Sequence, residues 1–323
     1  MKSLVLSVSP NTSTDRVSVV ERFTPGEPVR TILSFDQAGG SGAHATGVVV
    51  QLGGDARSIV LLGSYNRDRW IAAAQRQNMP YDEVQMEAPN RSTFVLIDKQ
   101  QGNIAEVIDP GPRVGADIAQ RLLDCTEQYL DRCSLLILSG SLPPGIPDDF
   151  YVSAIELARR YDVKTLVDAS STPLKKALTS HPWAVKPNLF EFHQLVGVET
   201  QTLREHIDQM SRIVGKYADV VLLSLGNEGL MVGTETNVWH MHAGDHGITL
   251  PGSTAINTIG CGDALVGGFS YATARGDNIL EAACWGVAAA TANLGNYDVP
   301  SCPPDLVRLL VGKLQVVEVQ TMT

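Results

Sequence analysis

Asn257-Thr258-Ile259-Gly260-Cys261-Gly262-Asp263-Ala264 runs directly into a helical stretch, Leu265 to Ala274. Two glycines flanking one residue just ahead of a helix leave backbone N–H groups free at the positive end of a helix dipole, which makes an anion site. Asp263 stands at the same helix start, where a carboxylate can accept a proton from a hydroxyl. The same residues also read as a glycine turn with an aspartate cap. What surrounds them has to decide.

Outward from this stretch, helix and strand alternate. Ala43 to Leu52 reads as a small-residue helix, Ser58 to Leu62 as a strand and Arg67 to Gln77 as an amphipathic helix. Leu135–Leu138, Thr165–Val167, Ala184–Lys186 and Val220–Ser224 are apolar runs of buried-strand length, separated by helical stretches such as Phe150–Tyr161 and Leu203–Tyr217. That alternation predicts an α/β fold: a mostly parallel central sheet with helices on both faces and ligands at the carboxyl ends of its strands. Val17–Asp36 and Ser92–Val107 are β-branched and alternating with no helix between, so they predict a small antiparallel β lid. The expected organisation is a single domain over 1–323, with the lid formed discontinuously by about 12–38 and 90–109. After Gly276 the chain reads as helical again, and Glu281–Leu294 is rich in Ala and Gly that permit close backbone approach.

Three further segments fall at predicted strand ends. In Lys186-Pro187-Asn188-Leu189-Phe190-Glu191, Asn188 and Glu191 are three apart and share a face at a helix start. An amide oxygen and a carboxylate there suit Mg²⁺, which keeps most of its waters, and they equally form a capping box. Ser139-Gly140-Ser141-Leu142-Pro143-Pro144-Gly145 makes a rigid loop at the ligand edge. Ser224-Leu225-Gly226-Asn227-Glu228-Gly229 closes another strand with a backbone that a nucleotide can approach without an intervening side chain.

Composition bounds the partners. With 35 acidic against 25 basic residues the net charge is −10, which argues against a nucleic-acid binder. No apolar run approaches the roughly 18 residues of a membrane span. The run Leu4–Val8 reads as a strand and lacks the pattern of a signal peptide. Five cysteines, with no Cys-x-x-Cys pair, suit free thiols in a reducing cytoplasm. The expectation is a cytoplasmic protein acting on a small molecule.

Together, and in this order along essentially the whole chain, these segments resemble the ribokinase-like (phosphofructokinase-B) carbohydrate kinases, within them the 1-phosphofructokinase and tagatose-6-phosphate kinase branch. Pro10-Asn11 to Asp15 resembles the substrate-binding N-terminal motif, Gly39-Gly40-Ser41-Gly42 the glycine-rich loop, and Glu106 to Pro112 the return from the lid. The resemblance implies ATP and Mg²⁺, with Asp263 as base and Gly260, Cys261 and Gly262 as the anion hole. It implies Asn188 and Glu191 around Mg²⁺, and Lys186, Ser224, Gly226 and Gly229 along the nucleotide, with Asn293 near the adenine. Asp15, Gly39, Gly40, Ser41 and His44 would hold the sugar, and Arg91 would reach the acceptor's phosphate. Activation by a monovalent cation and a homodimer through the lid are both open.

The acceptor side departs from the family pattern. Ser41 stands where the branch has Lys, and His44 where it has Asn; Thr93 and Ile108 replace lid asparagines. Arg91 is retained, and a guanidinium suits phosphate recognition. The expected acceptor is a sugar phosphate, the alternative an unphosphorylated sugar or a nucleoside, and the distant alternative a sugar-sensing regulator on a kinase scaffold. The regulator would have lost the base, the anion-hole glycines or the Mg²⁺ pair, and all are present.

Cys261 replaces the usual Ala, either as a small packed side chain or as a thiol activated by the helix start. Gly40-Ser41-Gly42-Ala43-His44-Ala45 matches a dinucleotide fingerprint but does not follow the first strand directly, and no Walker loop is present. His240, His242 and His246 suggest a metal cluster, but without a further ligand at suitable spacing they are expected as exposed strand histidines. His44 is expected either to contact the sugar or to pack.

Overall fold

The computed structural model describes residues 2–242 and 257–321. In chain order it holds β1 (Leu4–Ser9), β2 (Ser13–Val20), β3 (Thr31–Gly39), α1 (Ser41–Gln51), β4 (Ala56–Tyr65), α2 (Arg67–Arg76) and β5 (Tyr81–Pro89). Then come β6 (Arg91–Asp98), β7 (Ile104–Ile108), α3 (Ile118–Glu127), β8 (Cys133–Ser139), α4 (Phe150–Arg160), β9 (Lys164–Asp168) and α5 (Ser171–Leu178). β10 (Ala184–Val185), α6 (Leu189–Val196), α7 (Leu203–Met210), β11 (Val220–Ser224), β12 (Leu230–Gly233) and β13 (Asn237–His242) follow. The rest comprises α8 (Cys261–Arg275), α9 (Ile279–Asn293), α10 (Pro304–Val311) and β14 (Gln315–Thr321).

Ten strands form the central sheet in the order β14-β13-β12-β11-β10-β9-β8-β1-β4-β5. From β11 to β5 all neighbours are parallel, and β12, β13 and β14 join antiparallel at one edge. All six residues of β1 are buried, as a parallel strand covered on both faces requires. Leu6, Val8, Leu136, Leu138 and Val221 face one layer with Leu122, Phe150, Ile155, Phe192 and Ile207 of α3, α4, α6 and α7. Val5, Leu135, Ile137 and Leu222 face the other, with Ala45, Val49, Phe269 and Ala283 of α1, α8 and α9.

The pairing of α8 with α9 depends on small residues. A Cβ at Gly268 would overlap the Trp285 carbonyl oxygen, and one at Gly286 would lie 2.9 Å from the Leu265 carbonyl oxygen. The two backbones therefore touch, which fixes where α8 begins.

A second sheet, β3-β2-β6-β7, stands apart from the first. β2–β3 and β6–β7 are antiparallel, and β2–β6 is parallel. One face, with Val17, Val19, Val95 and Ile97, packs with Ile259 and Tyr297. On the other, Phe94 and the Val107 paired to it are 58% and 64% exposed.

Two local expectations fail. The helix from Leu203 ends at Met210 rather than Tyr217, and the chain goes on in turns that include Gly215 at φ 73°. The tail is not all helical: β14 pairs with β13 and completes the sheet edge.

Candidate active site

A cleft of about 400 Å³ opens where β1 and β8 end at Ser9 and Ser139, where α1 and α8 begin, and where β2, β6 and β7 present Asp15, Arg91 and Glu106. The N-terminal motif, the glycine-rich loop, the lid return, Ser139–Ser141 and the Gly260–Asp263 stretch meet there, whereas Lys186, Asn188, Glu191, Ser224, Gly226 and Gly229 are not part of its lining.

Gly260 caps α8 in the left-handed conformation, φ 70°, which glycine adopts without penalty. The Ala264 N–H donates to the Gly260 carbonyl at 2.8 Å and starts the helix. The Cys261 N–H donates to the Thr258 carbonyl at 3.3 Å and closes the turn. Among the described residues the N–H groups of Gly260, Gly262 and Asp263 have no acceptor. Of the expected trio, Gly260 and Gly262 have free N–H groups while that of Cys261 is engaged inside the turn; the Asp263 N–H is free as well. The Lys186 ammonium flanks this opening, 3.5 Å from where a Gly262 Cβ would stand, and pairs with Asp168 at 3.0 Å. Burial pushes the Asp168 carboxyl up to about 6 against the pull of Lys186, and the nearby charges of Asp263 and Glu191 add to the rise.

The Cys261 thiol is not activated. Burial pushes it up to about 11 despite a hydrogen bond from Asn293. Asn293 is the residue expected near the adenine. It is fully buried, donating to the Ile259 carbonyl at 2.8 Å and accepting from the Ser301 N–H at 3.0 Å. It holds the anion loop from below.

On the acceptor side, Asp15 accepts from the Ser13 hydroxyl at 2.6 Å. Burial raises its carboxyl above the ordinary range, and His44, Ser13, Arg91 and Thr93 only partly offset this. Gly39 is glycine because a Cβ there would overlap the Asp15 carboxylate. Gly40 caps α1 at φ 129°, and Ser41 opens that helix at the cleft. Arg91 is half-buried, and among the described residues its side chain makes one hydrogen bond, to Ser13 Oγ at 3.3 Å. Its Nε has no partner, and no carboxylate of the described residues lies within ion-pair distance. His44 does more than pack: its Nδ1 lies 2.8 Å from Asp263 Oδ2, with 6% of its side chain exposed.

On the far side, Asn188 and Glu191 form a reciprocal capping box. Asn188 Oδ1 accepts from the Glu191 N–H at 2.9 Å, and Glu191 accepts from the Asn188 N–H at 3.0 Å. That arrangement uses Glu191 Oε2 and leaves Oε1 free beside the negative field that lifts Asp168. Among the described residues no three His, Cys, Asp or Glu side chains converge as a metal cage. The one carboxylate oxygen that the cap leaves over, Glu191 Oε1, is a donor that a hydrated Mg²⁺ would meet through water. Ser224 bridges to Asn188 at the strand end. Gly226, φ 63°, has open space where a side chain would point, whereas Gly229 is required by the backbone of Met241. His240 and His242 are half-buried rather than exposed, and His240 Nε2 lies 2.8 Å from the Glu228 carbonyl. His246 lies outside the described residues.

Sequence reasoning gave no role to Asp168, the partner of Lys186, although it marks the end of β9. It also missed Asp298, whose charge acts on His44 from a loop with no local signal.

The family model for pfkB family carbohydrate kinases matches residues 6–306. An ATP-dependent 6-phosphofructokinase isozyme 2 of Mycobacterium tuberculosis is 24% identical over 94% of this chain and 88% of its own. A 1-phosphofructokinase of Borreliella burgdorferi is 25% identical over 90% of this chain and 91% of its own. The solved phosphofructokinase-2 of Escherichia coli with substrates and products superimposes with TM-score 0.86 at 23% identity, over 95% of this chain and 98% of that one. A possible 1-phosphofructokinase of Thermotoga maritima does so with TM-score 0.86 at 23% identity, over 98% and 100%. At such identities the structural likeness carries the fold alone.

Proposed function

The chain belongs to the pfkB family of carbohydrate kinases, and from that premise we propose that it transfers the γ-phosphoryl group of ATP to a hydroxyl of a sugar that already carries a phosphate. The observation that carries the acceptor class is Arg91. A half-buried guanidinium that makes no close ion pair among the described residues, feels the charges of Asp15 and Asp109 only at longer range and has an unpartnered Nε lines the acceptor cleft. Leaving it unsatisfied there is costly unless an anion arrives with the substrate. Ser41, which brings a hydroxyl where an ammonium would supply charge, favours the second reading of an unphosphorylated sugar or a nucleoside.

In the proposed reaction Asp15 orients acceptor hydroxyls, and Asp263 takes the proton of the attacking one. Free N–H groups at Gly260, Gly262 and Asp263, with Lys186 beside them, stabilise charge on the transferring group. Ser224 and Gly226 would lie along the nucleotide. Asn188 and Glu191 would hold Mg²⁺ through its waters, where it would neutralise charge on the phosphates. The second sheet, as a lid, keeps water from competing as acceptor. The exposed Phe94–Val107 face fits a second copy of the chain, as a homodimer.

The test is ADP release from MgATP with fructose-1-phosphate, fructose-6-phosphate, tagatose-6-phosphate, free hexoses, ribose and nucleosides, in the wild type and in Arg91→Met. Turnover with a phosphorylated ketose, lost mainly as a rise in KM in the variant, is the expected result. Turnover confined to unphosphorylated acceptors would contradict it and favour the second reading.

A further inference from the structure

The contact between His44 and Asp263 joins residues 219 apart in sequence, and neither neighbourhood announces it. His44 projects from the first turn of α1 and is almost wholly buried. Its Nδ1 meets Asp263 Oδ2, and its Nε2 has no hydrogen-bond partner among the described residues. This contact engages one carboxylate oxygen, and Asp263 itself lines the cleft. We propose that His44 is a positioning residue for Asp263, and that its imidazolium and the acceptor's proton compete for the same carboxylate, so that transfer requires His44 to be neutral. The proposal rests on the kinase reading above, with Asp263 as base.

The charges around His44 come from several elements. Among the described residues Asp263 lies on α8, Asp15 on β2, Glu106 on β7 and Asp298 after α9; Arg91 on β6 is the other cation lining the cleft, and the Lys186 ammonium acts on Asp263 from beside α8. Burial disfavours the imidazolium, but the hydrogen bond and charge of Asp263, with Asp15 and Asp298, outweigh it, and the titration of His44 moves above the ordinary 6.5. While His44 is charged, Asp263 is held in an ion pair. Once His44 is neutral, its Nδ1–H still donates to Oδ2 and keeps the orientation, while Oδ1 accepts a proton unopposed. In the transfer step the acceptor O–H bond breaks and its proton bonds to Oδ1. The acceptor oxygen bonds to the γ-phosphorus as the bond from phosphorus to the β–γ bridging oxygen breaks, its electron pair leaving on ADP.

The experiment is the pH profile of kcat/KM for ADP release in the wild type and in His44→Asn, paired with an NMR titration of the His44 ring in the wild type and in Asp263→Asn. The wild type should lose activity about tenfold per pH unit below a midpoint that lies above the ordinary histidine value. The variant, keeping a donor of similar reach, should lose this inflection and stay within about twofold from pH 6 to 8. The same acid limb in His44→Asn would overturn the proposal. If that variant does not fold, or if no acceptor is turned over at any pH, the titration decides. A His44 midpoint that falls in Asp263→Asn supports the pairing, and an unchanged one refutes it. Absence of turnover with every acceptor refutes only the kinase reading.

Discussion

Adding one methyl group at Gly39 tests whether Asp15 holds the acceptor. The backbone at Gly39 lies outside the positive-φ region, so alanine meets no conformational penalty. The Trp70 indole donates to the Gly39 carbonyl at 3.0 Å and pins that segment, so the Asp15 carboxylate must be the group that moves. To reach an ordinary carbon–oxygen contact of about 3.3 Å, the carboxylate must retreat by roughly 1 Å, a misplacement worth about 100-fold in kcat/KM. Removing the carboxylate in Asp15→Ala should cost about 1.5–3 kcal/mol, or roughly 10–150-fold. If both changes act through the same group, the double variant should be about as impaired as the worse single one. Independent effects would multiply to about 10³–10⁴-fold. The assay is steady-state ADP release in all four proteins, with urea unfolding to confirm that each is folded. Multiplicative losses, or a Gly39→Ala enzyme with unchanged kcat/KM, would refute the assignment of Asp15.

Three other outcomes follow from the same geometry. Gly260→Ala forces a left-handed residue to carry a Cβ that overlaps Val299; strain and overpacking together should cost about 2–4 kcal/mol in urea unfolding, and a change below about 0.5 would contradict this. Because burial holds the Cys261 thiol up near 11, iodoacetamide at pH 8 should label it far more slowly than an exposed cysteine, and Cys261→Ala should retain near wild-type activity. Since His44 binds its proton more tightly when folded, its contribution to stability is full below pH 6.5 and is lost as pH rises through the higher folded value. The advantage of wild type over His44→Asn in urea unfolding should therefore shrink upward from pH 6.5, and an advantage that grows with pH would refute the pairing.

The readability of this protein from its sequence divides by distance along the chain. Segments whose chemistry is local, such as Gly260–Asp263 ahead of α8 or Asn188 and Glu191 at the start of α6, carry their own signal. Even there spacing left two meanings for the Asn188–Glu191 pair, because a reciprocal cap and a hydrated-metal site need the same residues three apart. Contacts that close over long loops leave no such trace. His44 finds Asp263 only because α1 and α8 start side by side at the sheet's carboxyl edge, and Asn293 turns inward because the C-terminal segment at Ser301 takes its amide oxygen. The strand Gln315–Thr321 escaped for a related reason: its partner β13 lies some 75 residues earlier, and a short edge strand has little burial to mark it. Leu203–Tyr217 kept an amphipathic pattern past Met210, where the chain leaves the helix for a run of turns.

Asp263 is the residue on which the proposed transfer most directly depends. Its replacement by Asn keeps shape and the acceptor for the His44 Nδ1–H while removing the capacity to take a proton. ADP release by Asp263→Asn should fall by about 10²–10⁴-fold in kcat, with MgATP and sugar-phosphate affinities, measured by calorimetry, within a few-fold of wild type. Turnover within about tenfold of wild type, with binding equally intact, would mean that another group takes the proton and that the central assignment is wrong.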